Sequence, residues 1–215
     1  PGRKDAHPQP GKKVSARYVY GLIATPKRQD GHHPILEMYL GPIRYHVDAK
    51  AQAARRPFAH LMIPRFTGTR FQLQAENRMP SISQLYNQIA SDDLRNHMIV
   101  DDVLNCAKEG RNCLVLSERK QHVVWLSEQL GKQMDSVIIL MGGRNQKNSP
   151  CQLETLKRIP SSTPLIVCAT GKYIGEGFDE PRLDTLFLTM PISWQGTLAQ
   201  YVGRLHRLHE GKREV

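Results

Sequence analysis

From about residue 81 onward, short and continuously apolar runs alternate with longer amphipathic stretches, and this alternation narrows the possible folds more than any other feature. Cys113–Leu116, Val137–Met141, Leu165–Ala169 and Leu183–Leu188 have the length and composition of buried strands. Helices are predicted over Ile82–Ala90, Asp92–Glu109, Arg119–Leu130, Pro150–Ile159 and Leu198–Leu208. In the second of these, Leu94, Met98, Ile99, Val103, Leu104 and Ala107 recur three or four apart, and Gly110 supplies a stop. Strands that are apolar on both faces need cover on both faces. The expected class is therefore α/β: a mainly parallel sheet in a three-layer fold with helices on either side. In such sheets, ligands bind just past the carboxyl ends of the strands. That singles out Ser117-Glu118-Arg119, Gly142-Gly143-Arg144, Thr170-Gly171-Lys172 and Met190-Pro191.

The first 80 residues are less regular. Residues 1–13, rich in Pro, Gly and Lys, read as a flexible tail. Strands are expected at Val14–Ile23, Ile43–Val47 and His60–Phe66. A short helix is expected at Ile35–Leu40, and a linker or short helix at Ala49–Arg56. Charge is also uneven. The chain has 215 residues and a net charge of +10, yet residues 1–70 hold 13 Lys/Arg against 4 Asp/Glu. The asymmetry points to a polyanion near this part, although the tail by itself accounts for a third of the excess. With 40% hydrophobic residues, the composition excludes a disordered chain or a fibre. No apolar run reaches the roughly 18–20 residues of a membrane span. No secretory h-region is present, and none of the four Cys lies in a Cys-x-x-Cys pair, so reduced thiols in a cytosolic (cytoplasmic) protein are expected.

Two stretches carry chemistry. Ala169–Asp179 follows a buried strand and has Gly171, Gly175 and Gly177 within seven positions. Such glycines allow close backbone approach to a ligand. The Thr170 hydroxyl and free amides suit a phosphate, and Asp179 suits a sugar hydroxyl. The plain alternative is a loop that only turns the chain. No G-x-x-x-x-G-K-[ST] phosphate loop occurs. The second stretch is Gln200-Tyr201-Val202-Gly203-Arg204-Leu205-His206-Arg207. On one helix, Gln200, Arg204 and Arg207 share a face and form a fork for phosphate oxygens. Gly203 costs a helix about 1 kcal/mol relative to Ala, which points to close approach by another group. The plain alternative here is a solvated basic face. Nine His raise a metal reading, but no ligand spacing supports it. Thr170 lacks the arranged base a nucleophile needs.

Taken together, Ala169–Asp179 and Gln200–Arg207 resemble motifs V and VI of superfamily 2 nucleic-acid helicases. Tyr18–Gly31, with Ala24-Thr25-Pro26, resembles the motif III region of the XPB-like and type III restriction-like branch. The run through Gly41-Pro42-Ile43 and Ala59–Pro64 resembles helicases of bacterial TOTE-type conflict proteins. Leu114–Arg119 matches motif IV, and Met141-Gly142-Gly143 the small glycine motif that follows it. The resemblance implies a RecA-like fold, with residues 14–58 ending a first lobe and its linker and residues 59–215 forming the second lobe. It implies ATP with Mg²⁺ as cofactor, the Mg²⁺ being held by the first lobe, and DNA (RNA as the alternative) as partner. Arg207 becomes the arginine finger, Arg204 a second γ-phosphate ligand, and Gln200 the group that positions the attacking water or Arg207. Gly177 and Asp179 approach the nucleotide. Thr170 and Gly171, with Ser117, Arg119 and Gly143, contact the strand backbone, and Thr25 sits at the lobe boundary. The chain departs from the pattern at Ile23, where Thr or Ser is usual, and in lacking motifs I and II. Two other readings remain: a degenerate nucleic-acid-binding or regulatory lobe without ATPase activity, and a dinucleotide oxidoreductase, whose G-x-G-x-x-G spacing the glycines do not match.

Overall fold

In the computed structural model, the described residues are 18, 20–22, 33–71, 80–142, 149–174, 178–193 and 195–215. The elements are α1 (His33–Leu40), α2 (Ala49–Ala54), α3 (Ile82–Ala90), α4 (Asp93–Lys108), β1 (Cys113–Ser117), α5 (Lys120–Gly131), β2 (Val137–Leu140), α6 (Ser149–Arg158), β3 (Ile166–Thr170), α7 (Gly171–Ile174), β4 (Thr185–Leu188) and α8 (Gln195–Leu205). The four strands form one sheet in the order β2-β3-β1-β4, and every pairing is parallel. Cys113 lies opposite both Ile166 and Thr185, and Ser117 opposite Thr170. The expected α/β class with a parallel sheet is therefore what the chain forms, an arrangement consistent with a RecA-like lobe.

The period-two geometry of strands sorts the core into two layers. Cys113, Val115, Ile166 and Cys168 face α4 and α5, where Val103, Leu104, Val123, Leu126 and Leu130 meet them. Leu114, Leu116, Val167 and Ala169 face the other way, against Leu156 of α6, Ile174 of α7 and Tyr201 and Leu205 of α8. Caps set the helix starts on the first side. Ser81 accepts from the Gln84 amide at 3.3 Å while its own amide donates to Gln84 Oε1 at 2.8 Å, and Asp92 accepts from the Arg95 amide at 3.1 Å. Gly110, at φ +84°, ends α4 as its position in the sequence indicates. Among the described residues, Cys106, Cys113 and Cys168 are free thiols, the last two buried. No helix among the described residues is long and apolar enough to cross a membrane.

The N-terminal third departs from expectation. Ile43–Val47 and His60–Phe66 are not strands; Tyr45, Met62 and Phe66 are 83%, 92% and 93% exposed. β-branched and aromatic residues form a strand only when a neighbouring edge pairs with it and a face covers it. The described residues supply that only at Ala59, which bridges to Glu214, with Leu61 donating to the Val215 carbonyl at 2.7 Å. Most of Val14–Ile23 lies outside the described residues, and residues 18 and 20–22 are not in a strand. The predicted helix over Leu198–Leu208 begins and ends earlier, at Gln195 and Leu205, and a short helix, α7, begins where a glycine loop was expected.

Candidate nucleotide and nucleic-acid site

The parallel sheet places the ends of β1 and β3 side by side, and α8 crosses near them. Further along α8 and just beyond it, two sequence-predicted groups meet. Arg204 Nη1 donates to the Phe178 carbonyl at 2.6 Å. Arg207 Nε pairs with Asp179 Oδ1 at 3.1 Å, both side chains being about half exposed. The stretch after β3 and the stretch on α8 thus converge. They do so differently from the single helix face expected. α8 ends at Leu205, so Arg207 stands in the turn beyond it rather than one turn above Arg204. Gln200 is exposed on α8. The buried Phe178 anchors the segment that carries Asp179. Thr25, Gly143 and Gly177 lie outside the described residues.

The residues predicted to touch a nucleic-acid strand are drawn inward. Ser117 is buried, and its hydroxyl is part of a closed chain of hydrogen bonds. Asn96 Nδ2 donates to the Ala90 carbonyl at 2.8 Å, which leaves Oδ1 to accept from His122 Nε2 at 2.9 Å. His122 Nδ1 is then the acceptor for the Ser117 hydroxyl at 3.0 Å, and Ser117 Oγ accepts from the Arg119 amide at 3.2 Å. A neutral imidazole gives both ring nitrogens a partner in this series, and burial lowers the His122 pKa to about 4. Arg119 turns back onto α3: Nη2 donates to the Ser83 carbonyl and hydroxyl, each at 2.8 Å, and the guanidinium lies 5.6 Å from the centre of the Tyr86 ring. Thr170 is buried at the end of β3.

Gly171 is required for a reason the sequence does not announce. A Cβ there would collide with the Tyr201 ring and hydroxyl, its Cζ at 2.7 Å, and with Glu118 Oε1 at 2.6 Å. Tyr201, buried on α8, has a hydroxyl bonded to the Glu118 carboxylate, and burial together with that negative neighbour pushes its pKa up to about 12. The glycine is thus the gap through which α8 docks onto the ends of β1 and β3. Residue-type patterns on separate elements cannot reveal such a three-way contact. Gly203 has no heavy atom within 4 Å of the position of an added Cβ, so among the described residues the close neighbour expected of it is not found.

Two guanidiniums, an exposed carboxamide and a carboxylate suit the oxygens of a phosphate and the hydroxyls of a sugar. Among the described residues, no group of three or more His, Cys, Asp or Glu could hold a metal ion. What these residues define is an α/β lobe with a basic helix end set against the segment that follows its central strand.

No protein-family model matches the chain. Among curated proteins it is similar to "Transcript termination protein A18" of Fowlpox virus (strain NVSL), 25% identical over 203 residues, which covers 89% of this chain and 40% of that protein. It is also similar to "Putative helicase 161L" of Invertebrate iridescent virus 6, 26% identical over 205 residues, covering 90% of this chain and 43% of that protein. A solved structure, "The crystal structure of T4 UvsW", overlaps 60% of this chain and 26% of that one at a TM-score of 0.49 and 18% identity. The chain spans less than half the length of the two viral relatives.

Proposed function

We propose that this chain is the carboxyl-terminal RecA-like lobe of an ATP-dependent nucleic-acid helicase or translocase of superfamily 2, with DNA as its strand and RNA as the alternative. The observation that carries the reading is the meeting of Arg204 and Arg207 with Phe178 and Asp179, in the segment that follows β3 and α7. The viral relatives, one named a helicase and the other for transcript termination, support a nucleic-acid partner. The XPB-like assignment rests on Ala24-Thr25-Pro26 and the residues around them.

The division near residue 58 draws on the contacts made by the residues that follow it. Phe58 is buried, and Ala59 and Leu61 pair with Arg213 and Val215, which ties residues from 58 onward to this lobe. The donor set fits the phosphate end of ATP, and this reading assigns the Mg²⁺ to the first lobe. ATP, when bound, supplies the phosphoryl group whose transfer drives the protein. Arg207, half exposed and paired with Asp179 in an exchangeable surface ion pair, can turn onto a phosphate oxygen. Arg204 and Gln200 flank it, and Asp179 and Gly177 approach the nucleotide. For the strand, the main chain at Thr170 and Gly171 is the foremost contact, with Arg119 and Gly143 beside it. Ser117 supports the site through its buried hydroxyl.

An arginine that neutralises charge developing in the transition state acts on turnover rather than binding. In the full-length protein, Arg207→Ala should lower kcat by on the order of 10³-fold or more, while changing strand affinity little. Arg207→Lys should restore little, because an ammonium cannot reproduce the planar fork. Steady-state ATP hydrolysis with saturating single-stranded DNA measures this. Near-normal turnover of Arg207→Ala would return the helix end to a plain basic surface and favour a binding lobe without ATPase activity.

A further inference from the structure

Past Leu205 the chain leaves α8, and the last carbonyls of a helix have no partner within it. Lys212 supplies one. Its ammonium lies 2.9 Å from the Leu205 carbonyl and 2.9 Å from the Arg207 carbonyl, and 2.8 Å from each of the Pro181 and Leu183 carbonyls. Three N–H bonds thus serve four acceptors, a compact cationic centre that joins two separate pieces of chain. Its own position is held on both sides. Gly211, at φ +83°, turns the chain back beneath the helix end, a conformation that a residue with a Cβ adopts only at a cost. Beyond it, Arg213 and Val215 are paired with Ala59 and Leu61, and the Phe58 ring lies 5.8 Å below the ammonium.

The loop that Lys212 grips is the one that receives the two arginines. Phe178 accepts from Arg204, Asp179 pairs with Arg207, and Pro181 and Leu183 accept from Lys212. The loop is braced from the opposite side by the buried Arg182. That side chain pairs with Glu180 at 2.9 Å and donates to the carbonyls of Leu156, Ile159 and Pro160 at the end of α6. Against this fixed loop, Lys212 sets where the main chain of Arg207 sits, while Asp179 sets where its guanidinium rests. A residue in a turn, outside any helix, needs such a fixture if its side chain is to reach one place repeatedly.

Resting on the function proposed above, we infer that Lys212 is a positioning residue for Arg207: it fastens the turn after α8 to the 178–183 loop so that the Arg207 guanidinium is presented at one distance and angle. The charge and the donors of Lys212 matter, and no contact with nucleotide or strand is required of it.

The test uses the full-length protein with Lys212→Met, which keeps the length of the stem over Phe58 but removes every donor. Turnover of ATP with saturating single-stranded DNA should fall about tenfold or more, with KM for ATP changing less than about twofold. Hydrogen exchange should quicken at the amides of residues 206–210 and stay unchanged in β1 and β3. Lys212→Arg should recover most of the turnover, since Arg182 in this same protein shows a guanidinium serving three carbonyls. Adding Lys212→Met to Arg207→Ala should lower turnover no further than Arg207→Ala alone, because a group that acts through another has no effect once that other is gone. The inference is overturned if Arg207→Ala is slow while Lys212→Met is near normal. It is equally overturned if the two losses multiply, or if exchange in β1 and β3 rises as much as in the turn. Normal turnover of Arg207→Ala would instead remove the functional reading on which the inference stands.

Discussion

His122 illustrates how a single buried side chain sets a condition on the whole lobe. Its ring donates to Asn96 and accepts from Ser117, so protonation would place a second N–H against a hydroxyl already oriented as a donor. Burial, with the nearby Arg95 charge, also favours the neutral ring and lowers its pKa from 6.5 to about 4. Between those values the unfolded chain takes up a proton that the folded chain excludes. The contribution to stability is complete above pH 6.5 and is lost as pH falls toward 4. At about 1.4 kcal/mol per pKa unit, the loss amounts to roughly 3 kcal/mol at most. Urea midpoints measured from pH 7.5 down to 4.5 should fall for the wild type and fall less steeply for His122→Gln, which cannot be protonated. Parallel slopes for the two proteins would place the acid sensitivity elsewhere.

At the scale of elements, α8 is fastened at three points. Tyr201 docks through the gap at Gly171, Arg204 holds the Phe178 carbonyl, and Lys212 closes the helix end. Gly203, between the first two, has open space where a side chain would stand. Replacing it by Ala should therefore add helix propensity without a clash, and stabilise this chain by about 0.5–1 kcal/mol in denaturant unfolding. The same substitution in the full-length protein tests the first lobe. If another group approaches Gly203 closely there, Gly203→Ala should slow ATP turnover although it stabilises the isolated lobe. Gly171→Ala should behave in the opposite way: Glu118 and Tyr201 must move, so unfolding should come at lower denaturant in the chain itself.

For the whole molecule, the net charge of +10 and its concentration in the first 70 residues set the expected mode of nucleic-acid binding. A lobe that contacts about 2–4 backbone phosphates should give a log–log salt slope of roughly −1.5 to −3 on single strands, with little sequence preference. Titrations at several salt concentrations with strands of different sequence measure both. Salt-independent, sequence-selective binding would mean that bases rather than phosphates are read. Purified as it stands, the chain should hydrolyse no ATP above background, since it contains no phosphate-loop lysine motif. Turnover by the chain alone, abolished by Arg207→Ala, would contradict that.

The residues alone determined the class of fold. Four short, continuously apolar runs separated by three-to-four periodic stretches have few solutions other than a parallel sheet between helices, because a strand that is apolar on both faces needs cover on both. They also singled out the two stretches, after Thr170 and around Arg204, that meet through Arg204 and Phe178. Tertiary structure decided how the side chains there are used. Ser117 and Arg119 were legible as polar residues past a strand end, yet packing against α3, α4 and α5 turns them inward, and only the three-dimensional arrangement brings Asn96, His122 and Ser83 to them. Arg207 was legible as a candidate cation, but α8 stops two residues before it, and Lys212 joins the Leu205 and Arg207 carbonyls there to those of Pro181 and Leu183, a link no local pattern announces. The apolar runs at 43–47 and 60–66 fail as strands for the complementary reason: local propensity proposes a strand, and only a paired edge and a covered face make one.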